Sequence, residues 1–417
     1  MPQASGTSPL QPPTQTTVPR LRSLDVFRGL TISLMLIVNN PAGWTPEKTF
    51  APLLHAQWNG CTPTDLVFPF FLFIVGVAMA YSLRRHLASG ERPLSLHLSI
   101  ARRAATLVAL GIALNFFGHF AWQGLRLPGV LQRIGLCFAI VSLVVLHVPR
   151  ALQPVLAAIS LLGYWALLTF VPVPGTSLAS HAVDSNWPRW LDLQLLTGHL
   201  YKGSLTDPEG LMSTIPACVT TYIGYALGRW LLDNPVSRRP AQLALAGGGL
   251  LLAGWLWAGL PSLSLPDHWF ETGAAWGEPL NKGLWSSSYV LFTAGLAILT
   301  LAACSVVMDR AKVTTTSIAS IAGLPARLIE AIGRNAILVF VGSGMLARLL
   351  RMVPVPITAT GPTAPTTQPL TSWFSNFMLT TFSSEPRLGS LLHALLHLSL
   401  WLAIAWWLDA RKIYLRL

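Results

Sequence analysis

Residues 55–83 read HAQWNGCTPTDLVFPFFLFIVGVAMAYSL. The first part, up to Asp65, is polar or turn-forming and holds an imidazole, amides, hydroxyls and one carboxylate. From Leu66 to Leu83 the run is apolar and carries no charge. About 20 such residues at about 1.5 Å rise cross the hydrocarbon of a bilayer as one helix. Apolar and polar residues do not alternate, so the run is not a membrane strand. The reading is a membrane helix with a polar hairpin at its mouth.

Comparable runs extend on both sides, at about 24–40, 64–83, 101–120, 128–147, 151–172, 211–232, 241–260, 284–307, 330–350 and 388–408. They predict an all-α polytopic membrane protein, a bundle of about ten transmembrane helices. The 417 residues are 52% hydrophobic and only 11% charged, which excludes an ordinary soluble enzyme and a disordered chain. Residues 1–19 are rich in Pro, Thr, Ser and Gln, lack charge and read as a disordered tail. Residues 20–417 read as a single transmembrane domain. Asp25 and Arg28 stand at the start of the first run, which reads as a retained helix and not a cleaved leader.

The net charge of +12 is explained by topology. With the N-terminus inside, 19 of the 28 Lys and Arg fall on inner segments and 9 on outer ones. Both termini are then cytoplasmic. Nucleic acid is not expected as a partner; the lipid bilayer is. Cys61, Cys137, Cys218 and Cys304 form no C-x-x-C pair and read as small core residues.

The chemistry-bearing residues concentrate between the first two runs. Asn39 and Asn40 end the first helix, His55, Trp58 and Asn59 lie in the connection, and Asp65 opens the second helix. A hairpin brings these ends together. An imidazole suits proton transfer near neutrality, Asp65 could orient it or cap the second helix, and Asn39 could stabilise an oxyanion. A loop of caps and turns is the bland alternative. Asp25 and Arg28 share a helix face, as an ion pair or with Arg28 on a phosphate. Arg133, one turn into the fourth run, is a functional candidate or the partner of a carboxylate. Gly333-Arg334-Asn335 offers similar groups on the inner side. Arg84, Arg85, Arg102 and Arg103 form an inner basic rim, for a phosphorylated ligand or for orientation alone. The outer loops carry Trp44, Trp58, Trp187, Trp190, Trp269, Trp276 and Trp373 with several carboxylates, as an interfacial belt or as sugar platforms. His393 and His397 share a helix face without a matching Glu, so no metal is expected.

Several stretches together resemble the heparan-α-glucosaminide N-acetyltransferase family. They are RSLDVFRGLT at 22–31, Val38-Asn39-Asn40, residues 55–71, PGVLQRI at 128–134, DPEG at 207–210, NKGLWSSSYV at 281–290 and GRNAI at 333–337. The start of the first stretch alone also occurs in broader membrane acyltransferases. The resemblance implies acetyl-CoA as cytosolic co-substrate and a glucosamine-type amine outside as acceptor, in a bacterial cytoplasmic membrane. It implies His55 as the active-site histidine, general base or acetyl relay, with Asn39 its partner and Asp65 and Asn59 beside it. Donor contacts are expected from Arg28, Arg84, Arg103, Gln132, Arg133, Arg334 and Asn335. Acceptor contacts are expected from Asn40, Trp58, Asp207, Glu209 and Trp285. The lysosomal relatives carry an extra luminal domain and a further N-terminal helix without counterpart here, so the acceptor need not be a heparan sulfate end. A homodimer is one expected state. O-acylation of an envelope glycan and sugar transport are the competing functions, the latter weakened by the lack of an inverted repeat.

Overall fold

The structure, a computed structural model, describes residues 21–201, 206–234, 239–260, 277–310, 324–357 and 366–415. The expected tail at 1–19 and the loop tryptophans Trp269 and Trp276 lie outside the described residues. In chain order the helices are α1 (Arg22–Val38), α2 (Val67–Ser89), α3 (Leu94–Phe116), α4 (Val130–His147), α5 (Gln153–Phe170), α6 (Trp187–Leu195), α7 (Thr214–Asp233), α8 (Pro240–Trp257), α9 (Ser287–Ser305), α10 (Leu324–Arg334), α11 (Ala336–Met352), α12 (Leu370–Thr381) and α13 (Pro386–Ala410). A two-stranded antiparallel ribbon pairs β1 (Pro354–Pro356) with β2 (Thr367–Pro369).

Each of the ten apolar runs coincides with one helix, or with the bent pair α10–α11. Among the described residues, six helices are long and apolar enough to cross a bilayer: α2 with its preceding turn, α3, α4, α5, α9 with the turn that follows it, and α13. The α10–α11 pair, bent by 83° at Asn335, would make a seventh. The other three runs are weaker for visible reasons. α1 has only 17 residues, α7 carries three threonines and Arg229, and α8 carries four glycines. Outward-facing Leu98, Leu156, Ile159, Leu162 and Leu245 are exposed, as side chains against lipid would be.

Within a bilayer, helices associate by close packing and not by the exclusion of water. Glycines mark where this happens. Gly76 of α2 lies on the Thr221 carbonyl, and Gly224 and Gly228 of α7 lie on the Phe73 and Val77 carbonyls, with no room for a Cβ. Gly29 and Gly333 seat α1 on α10 in the same way. Around these contacts, α2, α4, α7 and α9 bury Phe68, Leu72, Leu131, Trp285, Tyr289 and Phe292 in one cluster. α1, α2 and α9 bury Phe27, Phe73, Val77, Ile298 and Leu301 in another. α2 is therefore central, and both of its ends matter for the site.

Candidate active site

Before α2 the chain makes a short 3-10 turn, Pro63–Leu66, closed by a capping box between Thr62 and Asp65. Asp65 Oδ2 accepts from the Thr62 N–H at 3.1 Å, the Thr62 hydroxyl at 3.0 Å and the Ala56 N–H at 3.0 Å. Its Oδ1 lies 2.6 Å from His55 Nδ1. One carboxylate thus caps the helix and holds the imidazole, the two roles that the sequence posed as alternatives. The Asp65 side chain is 2% exposed and that of His55 is 49% exposed. Since the carboxylate can only accept, Nδ1 carries the proton and Nε2 is left as a lone pair.

Lys282 completes the group. Its Nζ lies 3.5 Å from Asp65 Oδ1 and 3.2 Å from His55 Nδ1. The Lys282 ammonium and the Asp65 carboxylate thus stand side by side against the His55 ring. The turn carrying Lys282 is fixed to the hairpin: Asn281 Nδ2 donates to Asn59 Oδ1 at 3.0 Å, and the Gly60 N–H donates to the Leu280 carbonyl at 2.7 Å. Trp58 packs under Gly283 and donates from Nε1 to the His181 carbonyl at 2.8 Å. Tyr289 of α9 donates to the Asp65 carbonyl at 2.5 Å. Glu278, just before this turn, accepts from the Ser288 N–H at 3.0 Å and so caps α9. Burial pushes its carboxyl up to about 8, against the lowering effect of the Ser288 and Ser287 N–H groups.

Toward the other end of α2 lies a cavity of about 700 Å³. Its wall on α2 runs from Phe71 to Ser82, about 16 Å of helix. Phe71 is in turn about 9 Å along the chain from Asp65 at the helical rise. Arg28, Arg103 and Arg334 line this cavity together with Leu131, Ile134, Phe138 and Phe340. Arg28 pairs with Asp25 at 3.0 Å and reaches the Gly333 carbonyl at 3.3 Å. Arg334 pairs with Glu330 and with Asp409. Arg103 stacks over Phe138 at 4.6 Å and has no carboxylate partner among the described residues. Asn335, at the α10–α11 break beside this wall, is fully buried with both amide atoms unpartnered among the described residues.

The remaining candidates stand elsewhere. Asn39 is exposed and lines a second cavity of about 760 Å³ with Asn40, Trp44, Arg351, His393 and His397. Among the described contacts none joins Asn39 to His55. The Asn40 carbonyl accepts from His393 Nδ1 at 2.8 Å. Arg84 is half-buried and does not line the 700 Å³ cavity. Gln132 donates to the Leu127 carbonyl at 3.0 Å. Arg133 is 1% exposed and finds no carboxylate among the described residues; it donates to the Gly210 carbonyl at 2.8 Å and lies over the rings of Trp285 and Phe68 at 5.2 and 5.9 Å. Asp207 and Glu209 are buried and both grip Arg126 instead. Burial opposes the Arg126 charge, but Glu209 and Asp207 outweigh it and raise its pKa. Trp285 is fully buried, with φ +54°, left-handed backbone that costs a non-glycine residue about 1–3 kcal/mol.

The sequence did not single out Lys282, and it named Glu278 only as one of the outer-loop carboxylates for a sugar. Lys282 sits in a stretch quoted for the resemblance, beside Asn281, which was the available signal.

The family model for the heparan-alpha-glucosaminide N-acetyltransferase catalytic region matches residues 20–265, which include His55, Asp65, Arg28 and Arg103. This chain belongs to that family. The human heparan-alpha-glucosaminide N-acetyltransferase is 30% identical over 372 residues, 78% of this chain and 52% of its own length. The mouse protein of the same name is 29% identical over 385 residues, 81% of this chain and 55% of its own. The chain thus spans about half the length of the curated relatives it matches. Family membership and the apolar helices together make it an integral membrane protein.

Proposed function

We propose that this chain is a transmembrane acetyltransferase that moves acetyl from cytosolic acetyl-CoA to the amine of a glucosamine-type sugar on the outer side. The observation that carries the reading is the His55–Asp65 pair, with Nε2 free, about 9 Å of helix beyond the end of the Arg-lined cavity. The family supports the reaction class.

The cavity suits the donor chemically. Arg28, Arg103 and Arg334 would face its phosphates, and the apolar wall from Phe71 to Phe340 would take the pantetheine arm. The end holding these arginines would face the cytoplasm, so the donor never crosses the membrane. Asn335, with its amide unspent among the described residues, adds a polar group beside that wall.

The acceptor nitrogen attacks the thioester carbonyl carbon, the C–S bond breaks and sulfur leaves as a thiolate. His55 Nε2 takes the proton that the nitrogen loses. Asp65 stays ionised, fixes the tautomer and stabilises the imidazolium that forms. Asn59 accepts from Asn281 through Oδ1, which leaves its Nδ2 to donate to the carbonyl oxygen, with Asn39 as the second candidate. In the relay variant, His55 Nε2 itself accepts the acetyl group before the amine attacks. Rapid quenching with radiolabelled acetyl-CoA separates the two routes.

Purified protein given acetyl-CoA and glucosamine should release free CoA, and His55→Ala should stop it. Unchanged turnover in that variant would sink the assignment. Glucosamine compared with N-acetylglucosamine as acceptor separates N-transfer from O-transfer.

A further inference from the structure

Two imidazoles outside this site meet where α3 begins and α4 ends. His97 Nε2 and His147 Nε2 are 3.0 Å apart, with ring centroids separated by 5.2 Å. His97 Nδ1 lies 3.1 Å from the Pro93 carbonyl, which can only accept. Nδ1 of His97 therefore carries the proton, and its Nε2 presents a lone pair toward His147. In the neutral pair, His147 Nε2–H donates to that lone pair. His147 is exposed, so solvent can shuttle its proton to Nδ1. Both Nε2 lone pairs then converge on one point.

We propose that His97 and His147 form a two-histidine site for a divalent transition metal such as Zn²⁺. Zn–N bonds of about 2.0–2.1 Å at a tetrahedral angle hold two nitrogens about 3.3 Å apart, so the rings need to part by only about 0.3 Å. Waters complete the coordination. The bond from His97 Nδ1–H to a backbone carbonyl is the outer contact that orients a ligating imidazole. The two helices are packed together beneath the pair through Leu96, Ile100, Val141 and Val145, so the ligands are held before the ion arrives. The His393–His397 pair differs, because among the described contacts no close approach joins their Nε2 atoms and His393 Nε2 lies 3.5 Å from the Ser375 hydroxyl. A metal at His97 and His147 would also cross-link the helices that bring Arg103 and Phe138 to the 700 Å³ cavity.

The test is a titration of the detergent-purified full chain with Zn²⁺ against a chromophoric chelator. His97→Ala and His147→Ala should each weaken one Zn²⁺ site by more than the about 10–100-fold that loss of an outer contact costs. His393→Ala should leave that site intact. Cu²⁺ in the wild type should give an electron paramagnetic spectrum of two nitrogen ligands, and of one nitrogen in either variant. Both substituted positions lie at helix ends, and melting temperatures equal to wild type confirm that the variants fold. Zn²⁺ affinity unchanged in both variants, or a wild type with no Zn²⁺ site, overturns the proposal.

Discussion

Glu278 gives the sharpest stability prediction. Its carboxyl is 1% exposed, and burial raises it from 4.5 to about 8. A carboxyl raised in the folded state binds a proton that the unfolded chain has already released. Its contribution is therefore complete below about pH 4.5 and is lost as pH rises through about 8. The gap corresponds to a ceiling of about 5 kcal/mol. Glu278→Gln mimics the protonated form and keeps an oxygen acceptor for the Ser288 N–H. Thermal unfolding followed by tryptophan fluorescence in detergent should show the wild-type midpoint falling by several degrees between pH 6 and pH 9. The variant should lack that part of the decline and melt above wild type at pH 9. The reasoning is refuted if both proteins lose the same number of degrees over this range.

Further outcomes follow from the packing and the site. Lys282→Ala removes the cation 3.5 Å from Asp65 Oδ1 and should lower kcat/KM by about 10-fold, with part recovered in Lys282→Arg; steady-state kinetics at saturating donor check this. Arg126→Ala leaves Asp207 and Glu209 buried without their cation and should cost about 3–5 kcal/mol, read as a lower melting temperature. Gly224→Leu cannot fit against the Phe73 carbonyl, so the folded fraction in size-exclusion chromatography should collapse, whereas a substitution at Gly163, which faces open space, should not. Trp285→Ala should cost about 3–5 kcal/mol, and Trp285→Gly should recover part of this because glycine adopts the left-handed backbone without strain.

The helices were legible because each announces itself locally as an apolar run. The short α6 and α12 were not, since nine and twelve residues with mixed polarity carry no such signal. His55 and Asp65 are ten residues apart, so one hairpin sufficed to anticipate their meeting. Lys282 is 227 residues from His55, and only the packing of α9 on α2 brings it there. Arg133 and Arg126 make the same point in reverse. Sequence suggests that the more deeply placed arginine takes a carboxylate, yet Asp207 and Glu209 turn to Arg126 and leave Arg133 to a carbonyl, a hydroxyl and two aromatic faces. Which cation wins is decided by the loop before α7, and no local pattern encodes it.

α2 has one more consequence, as a gauge. It is a stiff rod whose upper mouth is stapled to His55 through Asp65 and whose lower stretch walls the Arg-lined cavity down to Ser82. For a donor entering beside Ser82, the distance to the reacting group is set by the helical rise, about 25 Å over 17 residues. On the proposed reaction, selection would then work by reach. A thioester stripped of its nucleotide, such as acetyl-cysteamine, carries the same reactive carbon but has no anchor at the arginines, while a carrier with a longer arm would buckle before its carbonyl came to rest under the imidazole.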